Sequence, residues 1–151
     1  MKKTDRERFD YIQYIGWWEG QINASHLMRH FQLTRDSASA ILKKYDYKYP
    51  HHFQYDQSLK ARVITQDFLP AKKIQNFSKY LELIKNSRCE VVSECIEEVE
   101  APFRNINAKS VRPILKAITE NLAIDIGYIS LSSPDYLDRI IEPHSLIFAR
   151  G

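Results

Sequence analysis

Ile22-Asn23-Ala24-Ser25-His26-Leu27-Met28-Arg29-His30-Phe31-Gln32-Leu33-Thr34-Arg35-Asp36-Ser37-Ala38-Ser39-Ala40-Ile41-Leu42-Lys43-Lys44-Tyr45 is the stretch on which the fold turns. Asn23 is a strong N-cap, because its side-chain oxygen can accept from a backbone N–H at the start of a helix. Ile22 and Leu27 flank it as a hydrophobic staple, which fixes the angle at which the chain enters. Ala24, Leu27, Met28 and Phe31 then line one face of a short helix. Gln32-Leu33 breaks it, and Thr34 caps a second helix running to Tyr45, with Ala38, Leu42 and Tyr45 inward and Ile41 near the boundary. Two short helices, a tight apolar turn and a second cap make a helix-turn-helix. Small Ala24 and Ala38 suit the close crossing of such a pair.

Upstream, Thr4 followed by Glu7 has the pattern of a capping box. Phe9, Ile12, Ile15 and Trp18 recur at helical spacing, so a first helix runs to about Trp18 and stops at Glu19-Gly20. Downstream, Phe53-Gln54-Tyr55 and Ala61-Arg62-Val63-Ile64-Thr65 read as two strands joined by Asp56-Gln57-Ser58-Leu59-Lys60. A hairpin in that position is a wing.

Burying Ala38 turns Arg35, Ser37, Ser39, Ala40 and Lys43 outward. On an isolated helix this is an ordinary solvated face. Here the residues are short polar or small, with a cation at either end, which is what a surface entering the major groove needs. The expected DNA-contacting set is Asn23, Ser25, Thr34, Arg35, Ser37, Ser39, Lys43 and Lys44 from the helix-turn-helix, with Gln57, Ser58, Lys60 and Arg62 from the wing. Wing contacts to phosphate fix register rather than sequence.

Charge agrees with this division. Residues 1–75 carry 13 Lys and Arg against 8 Asp and Glu, and residues 76–151 carry 9 against 11, so the basic excess lies in the first half. Of the 151 residues 44% are hydrophobic and 27% charged, which suits a packed core. No run reaches the ~20 apolar residues of a membrane span, and Met1-Lys2-Lys3-Thr4-Asp5-Arg6-Glu7 lacks an apolar signal core; a cytoplasmic location is expected. Cys89 and Cys95 match no zinc or redox spacing. No cofactor, metal site or catalytic residue is expected. His26 and His30 lie four apart, but Leu27 stands where a zinc protease needs glutamate. His51-His52 has no third ligand placed by spacing, and four scattered glycines make no phosphate loop.

Beyond Pro70, Ile74, Phe77, Leu81 and Ile84 mark one apolar face of a packing or dimer helix. Glu90, Glu94, Glu97, Glu98 and Glu100 make the next segment acidic and solvated, and Ala101-Pro102-Phe103 reads as a link. Ser110 can cap a further helix carrying Val111, Leu115, Ile118 and Leu122, with Pro113 in its first turn. Ala123 to Ser130 alternates as a half-buried strand, Ser132 to Asp135 turns, and Arg139 to Phe148 forms a second strand bent at Pro143. Two such strands need further partners, either in a longer protein or in a second copy of the chain.

Trp18-Glu19-Gly20-Gln21-Ile22-Asn23, the helix-turn-helix and Tyr55-Asp56-Gln57-Ser58-Leu59-Lys60 together resemble the N-terminal domain of WYL-domain transcription regulators, in particular those of BREX- and CBASS-type phage-defence loci. Ile124-Asp125-Ile126-Gly127-Tyr128-Ile129-Ser130-Leu131-Ser132-Ser133 and Ile141-Glu142-Pro143-His144-Ser145-Leu146-Ile147 resemble the opening of the WYL domain, an Sm-like β-barrel. The resemblance implies an α+β chain: a winged helix-turn-helix over 1–68, a helical linker or dimerisation segment over 69–106, and an incomplete WYL domain over 107–151. It implies a homodimeric repressor of a defence-related operon on an inverted repeat of double-stranded DNA. It also implies a nucleotide or nucleic-acid effector where the WYL domain is complete. The strand carrying the Trp-Tyr-Leu signature does not occur in this chain, and only His144 and its neighbours represent the ligand-binding region. The alternative is a winged helix serving protein interaction, as a scaffold or anti-repressor without operator binding. Such a surface should show exposed apolar anchors.

Overall fold

A computed structural model describes residues 3–86, 96–99, 107–129 and 137–149. Helix α1 (Lys3–Glu19) leads into a two-residue strand β1 (Gln21–Ile22), then α2 (Ala24–Phe31) and α3 (Arg35–Lys48). Strands β2 (Phe53–Asp56) and β3 (Ala61–Ile64) follow, then a 3-10 turn (Lys72–Gln75) and α4 (Phe77–Asn86). Further on lie β4 (Ile96–Val99), α5 (Ala108–Glu120), β5 (Ile124–Tyr128), β6 (Leu137–Ile141) and β7 (Leu146–Ala149). The class is mixed α+β, and the chain divides into two compact units, residues 1–93 and 94–151.

In the first unit α1 is the spine. Phe9, Ile12, Ile15 and Trp18 are all buried, as their spacing predicts, and Tyr11 and Tyr14 join them. Thr4 lies inside the helix, which begins earlier than the Thr4–Glu7 pattern places it; lysine is a good helix former and extends the turn. Gly20 ends α1 at φ 81°, a conformation in which a Cβ would be strained.

The segment after the wing packs back on this spine. Ile74, Phe77, Tyr80, Leu81 and Ile84 are buried, Trp18 Nε1 donates to Ile74 O at 2.9 Å, and the Trp18 ring lies 4.8 Å from that of Phe77. Of the two roles the sequence offers this helix, packing or dimer contact, its apolar face packs on α1 of the same chain. Periodicity reveals that a face will be buried, not against what.

The second unit holds α5, the antiparallel pair β5–β6, with Ile124 opposite Ile141, and the parallel pair β4–β7, with Ile96 opposite Leu146. The N-cap of α5 is Asn107, whose side chain accepts from Lys109 N at 2.9 Å. Ser110 therefore sits in the first turn rather than at the cap, and Pro113 lies inside the helix on an exposed position. The helix stops at Asn121, left-handed at φ 52°, so Leu122 leaves the apolar face and is exposed. The expected bent strand is two strands, because Pro143 interrupts pairing and β7 joins β4 in a different sheet. Glu97 and Glu98 lie in β4, in a segment the sequence reads only as acidic surface. The turn Ser132 to Asp135, the link Ala101 to Phe103, and Cys89 and Cys95 lie outside the described residues. Among the described residues, no helix is long and apolar enough to cross a membrane.

Candidate nucleic-acid interface

Two caps shape the helix-turn-helix. Asn23 Oδ1 accepts from Ser25 N at 3.0 Å, and Asn23 N donates to His26 Nδ1 at 3.2 Å, a capping box in which histidine fills the place of the usual Glu or Gln. His26 Nε2 in turn meets Glu19 Oε2 at 3.2 Å. Thr34 Oγ1 accepts from Ser37 N at 3.3 Å and donates to Ser37 Oγ at 2.9 Å. Between the helices Gln32 adopts φ 52°, and Leu33 N donates to Met28 O at 3.2 Å. Leu27 and Ala38, both fully buried, hold the crossing.

Burial of Ala38, Ile41, Leu42 and Tyr45 fixes the rotation of α3. Arg35, Ser37, Ala40, Lys43 and Lys44 are exposed and Ser39 is half-buried. Lys44 Nζ reaches back to Asp5 Oδ2 on α1 at 2.8 Å, so part of its charge is balanced within the fold. Asn23 and Thr34 are both engaged as caps, Asn23 half-buried and Thr34 exposed, and Ser25 is exposed at the start of α2. Three residues at this surface escaped the sequence reading. Tyr47 is 92% exposed, four residues beyond Lys43 on the same stripe, a spacing that could have revealed it. Asp46 accepts from Arg62 Nε at 2.7 Å. Tyr55 lies beneath the Arg62 guanidinium, 5.9 Å from ring centroid to carbon.

The wing is a three-stranded antiparallel sheet in the order β1-β3-β2. Sequence reading found the hairpin but not β1, since two residues carry no periodicity. At the tip, Asp56 Oδ1 accepts from Ser58 N at 2.8 Å and Leu59 N at 3.0 Å, an Asx turn. Lys60 takes the left-handed conformation at φ 50°. Gln57, Ser58 and Lys60 are exposed there, while the Arg62 side chain is only 17% exposed.

Aromatic packing seats the base of the wing. Phe53 lies 5.7 Å from Tyr45 and 5.8 Å from Phe68. Tyr45 Oη lies 2.7 Å from His52 Nδ1. Burial pushes the Tyr45 hydroxyl well above its ordinary pKa and, with His51 beside it, lowers that of His52. Both shifts favour a neutral phenol donating to a neutral imidazole. His30 stacks on Tyr11 at 4.1 Å, and burial lowers its pKa too. In the second unit, His144 is exposed on the connection between β6 and β7.

Residues 4–86 match the family described as the BrxR transcriptional regulator winged helix-turn-helix domain. Proteins named DNA-binding transcriptional repressor CapW are similar across most of the chain. The one from Escherichia coli (strain KTE188) is 29% identical over 153 residues, covering 93% of this chain and 50% of the relative. Those from Stenotrophomonas maltophilia and Pseudomonas aeruginosa are 27% and 28% identical, each with the same two coverages. The chain thus spans about half the length of these relatives. With all of α1 but its first residue, the capped pair α2–α3, the wing and α4 inside the matched residues, the chain belongs to the BrxR family of winged helix-turn-helix transcriptional regulators.

Proposed function

We propose that the chain is a sequence-specific DNA-binding repressor of a phage-defence operon. In this reading α3 enters the major groove and the wing tip rests on the neighbouring phosphates. The outer face of α3 carries the reading: Arg35, Ser37, Ala40 and Lys43 are exposed, and between the two cations the side chains are small enough to let the helix approach base edges. Gln57, Ser58 and Lys60 supply the phosphate contacts. The relatives' names, each a DNA-binding transcriptional repressor, support the same reading.

One helix-turn-helix covers few base pairs, so two copies on an inverted repeat are proposed, with half-sites spaced by helical turns. A nucleotide or nucleic-acid effector, met in part by the region around His144, belongs to the same proposal for a protein with the full WYL domain. The rival reading, a protein-interaction surface, is favoured by the exposed rings of Tyr47 and Tyr55. Tyr55 is already engaged under the Arg62 guanidinium, which leaves Tyr47 as one anchor at the far end of α3, whereas interface hot spots cluster in well-packed pockets.

The test is selection of duplexes from a random pool by the purified chain, followed by sequencing. An inverted repeat is expected. Arg35→Ala should cost roughly 1–3 kcal/mol on the selected duplex and relax preference at one base pair. Unchanged affinity after simultaneous Arg35→Ala, Ser39→Ala and Lys43→Ala would refute this recognition face.

A further inference from the structure

Arg62 stands in the middle strand of the wing sheet, opposite Tyr55 on β2 and Ile22 on β1. A cation so placed reads from sequence as a phosphate contact. Its surroundings say otherwise. Nε donates to Asp46 Oδ2 of α3 at 2.7 Å, the guanidinium lies over the Tyr55 ring, and the side chain is 17% exposed. By contrast Lys60 at the tip is exposed. Asp46 is the residue after buried Tyr45 and immediately before Tyr47, so the bond ties the last turns of α3 to the centre of the wing. An Arg–carboxylate pair held against an aromatic ring is directional, since the planar guanidinium fixes both distance and orientation.

We propose that the Asp46–Arg62 pair is a positioning lock, resting on the DNA-binding reading above: it sets the angle between α3 and the wing so that Lys60 reaches phosphate while α3 is in the groove. Asp46 is then a residue on which DNA affinity depends although it carries the same sign of charge as DNA. That gives the lock an effect of unusual sign. Removing a carboxylate from a DNA-facing surface ordinarily tightens binding, because a repulsion is lost. Removing Asp46 should weaken it. Asp46 is 39% exposed but Arg62 only 17%, so loss of the pair costs some stability as well, and binding is compared only at a temperature where each variant is folded. The second consequence is non-additivity. Lys60 contributes its contact only when the wing is correctly aimed, so losses at Asp46 and Lys60 overlap instead of adding.

The experiment measures affinity of the intact chain for a duplex it has selected from a random pool, across a salt series, for Asp46→Asn, Arg62→Gln, Lys60→Ala and the pairwise combination Asp46→Asn with Lys60→Ala. Thermal unfolding of each variant confirms folding. Asp46→Asn should weaken binding about tenfold, equal to about 1.4 kcal/mol. Adding Lys60→Ala to it should cost far less than Lys60→Ala costs alone. The exchange Asp46→Arg with Arg62→Asp should recover part of the affinity lost by either single change. Asp46→Asn binding as tightly as the unaltered chain, or tighter, overturns the lock, and so does full additivity with Lys60→Ala. If the unaltered chain selects no duplex at all, the underlying DNA-binding reading fails first, and the lock falls with it.

Discussion

Replacing Gly16 by alanine probes how the wing is seated. Gly16 is buried on α1, and a Cβ built there lies 2.5 Å from Phe53 Cε1 and closer still to Cζ. Carbon atoms normally meet at about 3.5–4.0 Å, so the methyl overlaps the ring by roughly 1 Å. The ring cannot swing aside freely, because Tyr45 and Phe68 pack on it. Overpacking of this kind costs about 1–3 kcal/mol. Alanine in a helix interior recovers about 0.8–1.0 kcal/mol over glycine, so the net loss is about 0–2 kcal/mol. With a urea m-value of about 2 kcal/mol per molar, a net loss of 1 kcal/mol lowers the midpoint by about 0.5 M. The decisive measurement is the same change in a Phe53→Ala background, read by tryptophan fluorescence. There the clash is gone and the propensity gain remains, so Gly16→Ala should become stabilising by about 0.8–1.0 kcal/mol. Equal effects in both backgrounds would refute the view that Phe53 rests in the notch left by Gly16.

Lys60→Ala should weaken binding to all duplexes alike and flatten the salt dependence by about one counterion, measured as the slope of log affinity against log salt. Stability should fall as pH drops below about 6.5, the ordinary histidine pKa: burial lowers the pKa of His30 and His52 in the folded state, so the unfolded chain binds more protons there and gains on acidification. His30→Phe, which keeps an aromatic ring beside Tyr11, should reduce that slope in thermal unfolding at pH 7.5 and 5.5; an unchanged slope would reject the assignment. Light scattering should find the intact chain dimeric at micromolar concentration and a version ending at Ser93 monomeric, because the strand edges that are unpaired among the described residues, and exposed Ile140 and Ile147, lie in the second unit. Equal dimerisation of both would place the contact elsewhere.

The helix-turn-helix and the hairpin were legible because each is specified locally. Asn23 and Thr34 name their own roles as caps, and Ala38, Leu42 and Tyr45 fix the rotation of α3 by spacing alone. What stayed hidden depends on partners remote in sequence. β1 exists only because β3 runs beside it, and β4 only because β7 does. The apolar face of α4 was plain, but its cover, α1, was not. Leu122 fits the helical period of α5, yet the left-handed turn at Asn121 ends that period one residue earlier. At the interface the cations were visible and their counterions were not: Lys44 and Arg62 read as two more positive charges until Asp5 and Asp46 are seen beside them.

Mechanically, the wing is a cantilever. Its root is clamped by β1, whose two residues pair with Arg62 and Val63, and Ile64 N donates to Gly20 O at 2.9 Å just behind the clamp. Ahead of the clamp, among the described residues, Ala61 is paired with Asp56 alone, and beyond it the turn from Gln57 to Lys60 projects. Bending should be confined to that short overhang, while the root moves rigidly with the junction between α1 and α2. Lengthening the tip by insertion would soften the overhang without disturbing the root, whereas any load borne by Lys60 is delivered directly to the capped start of α2.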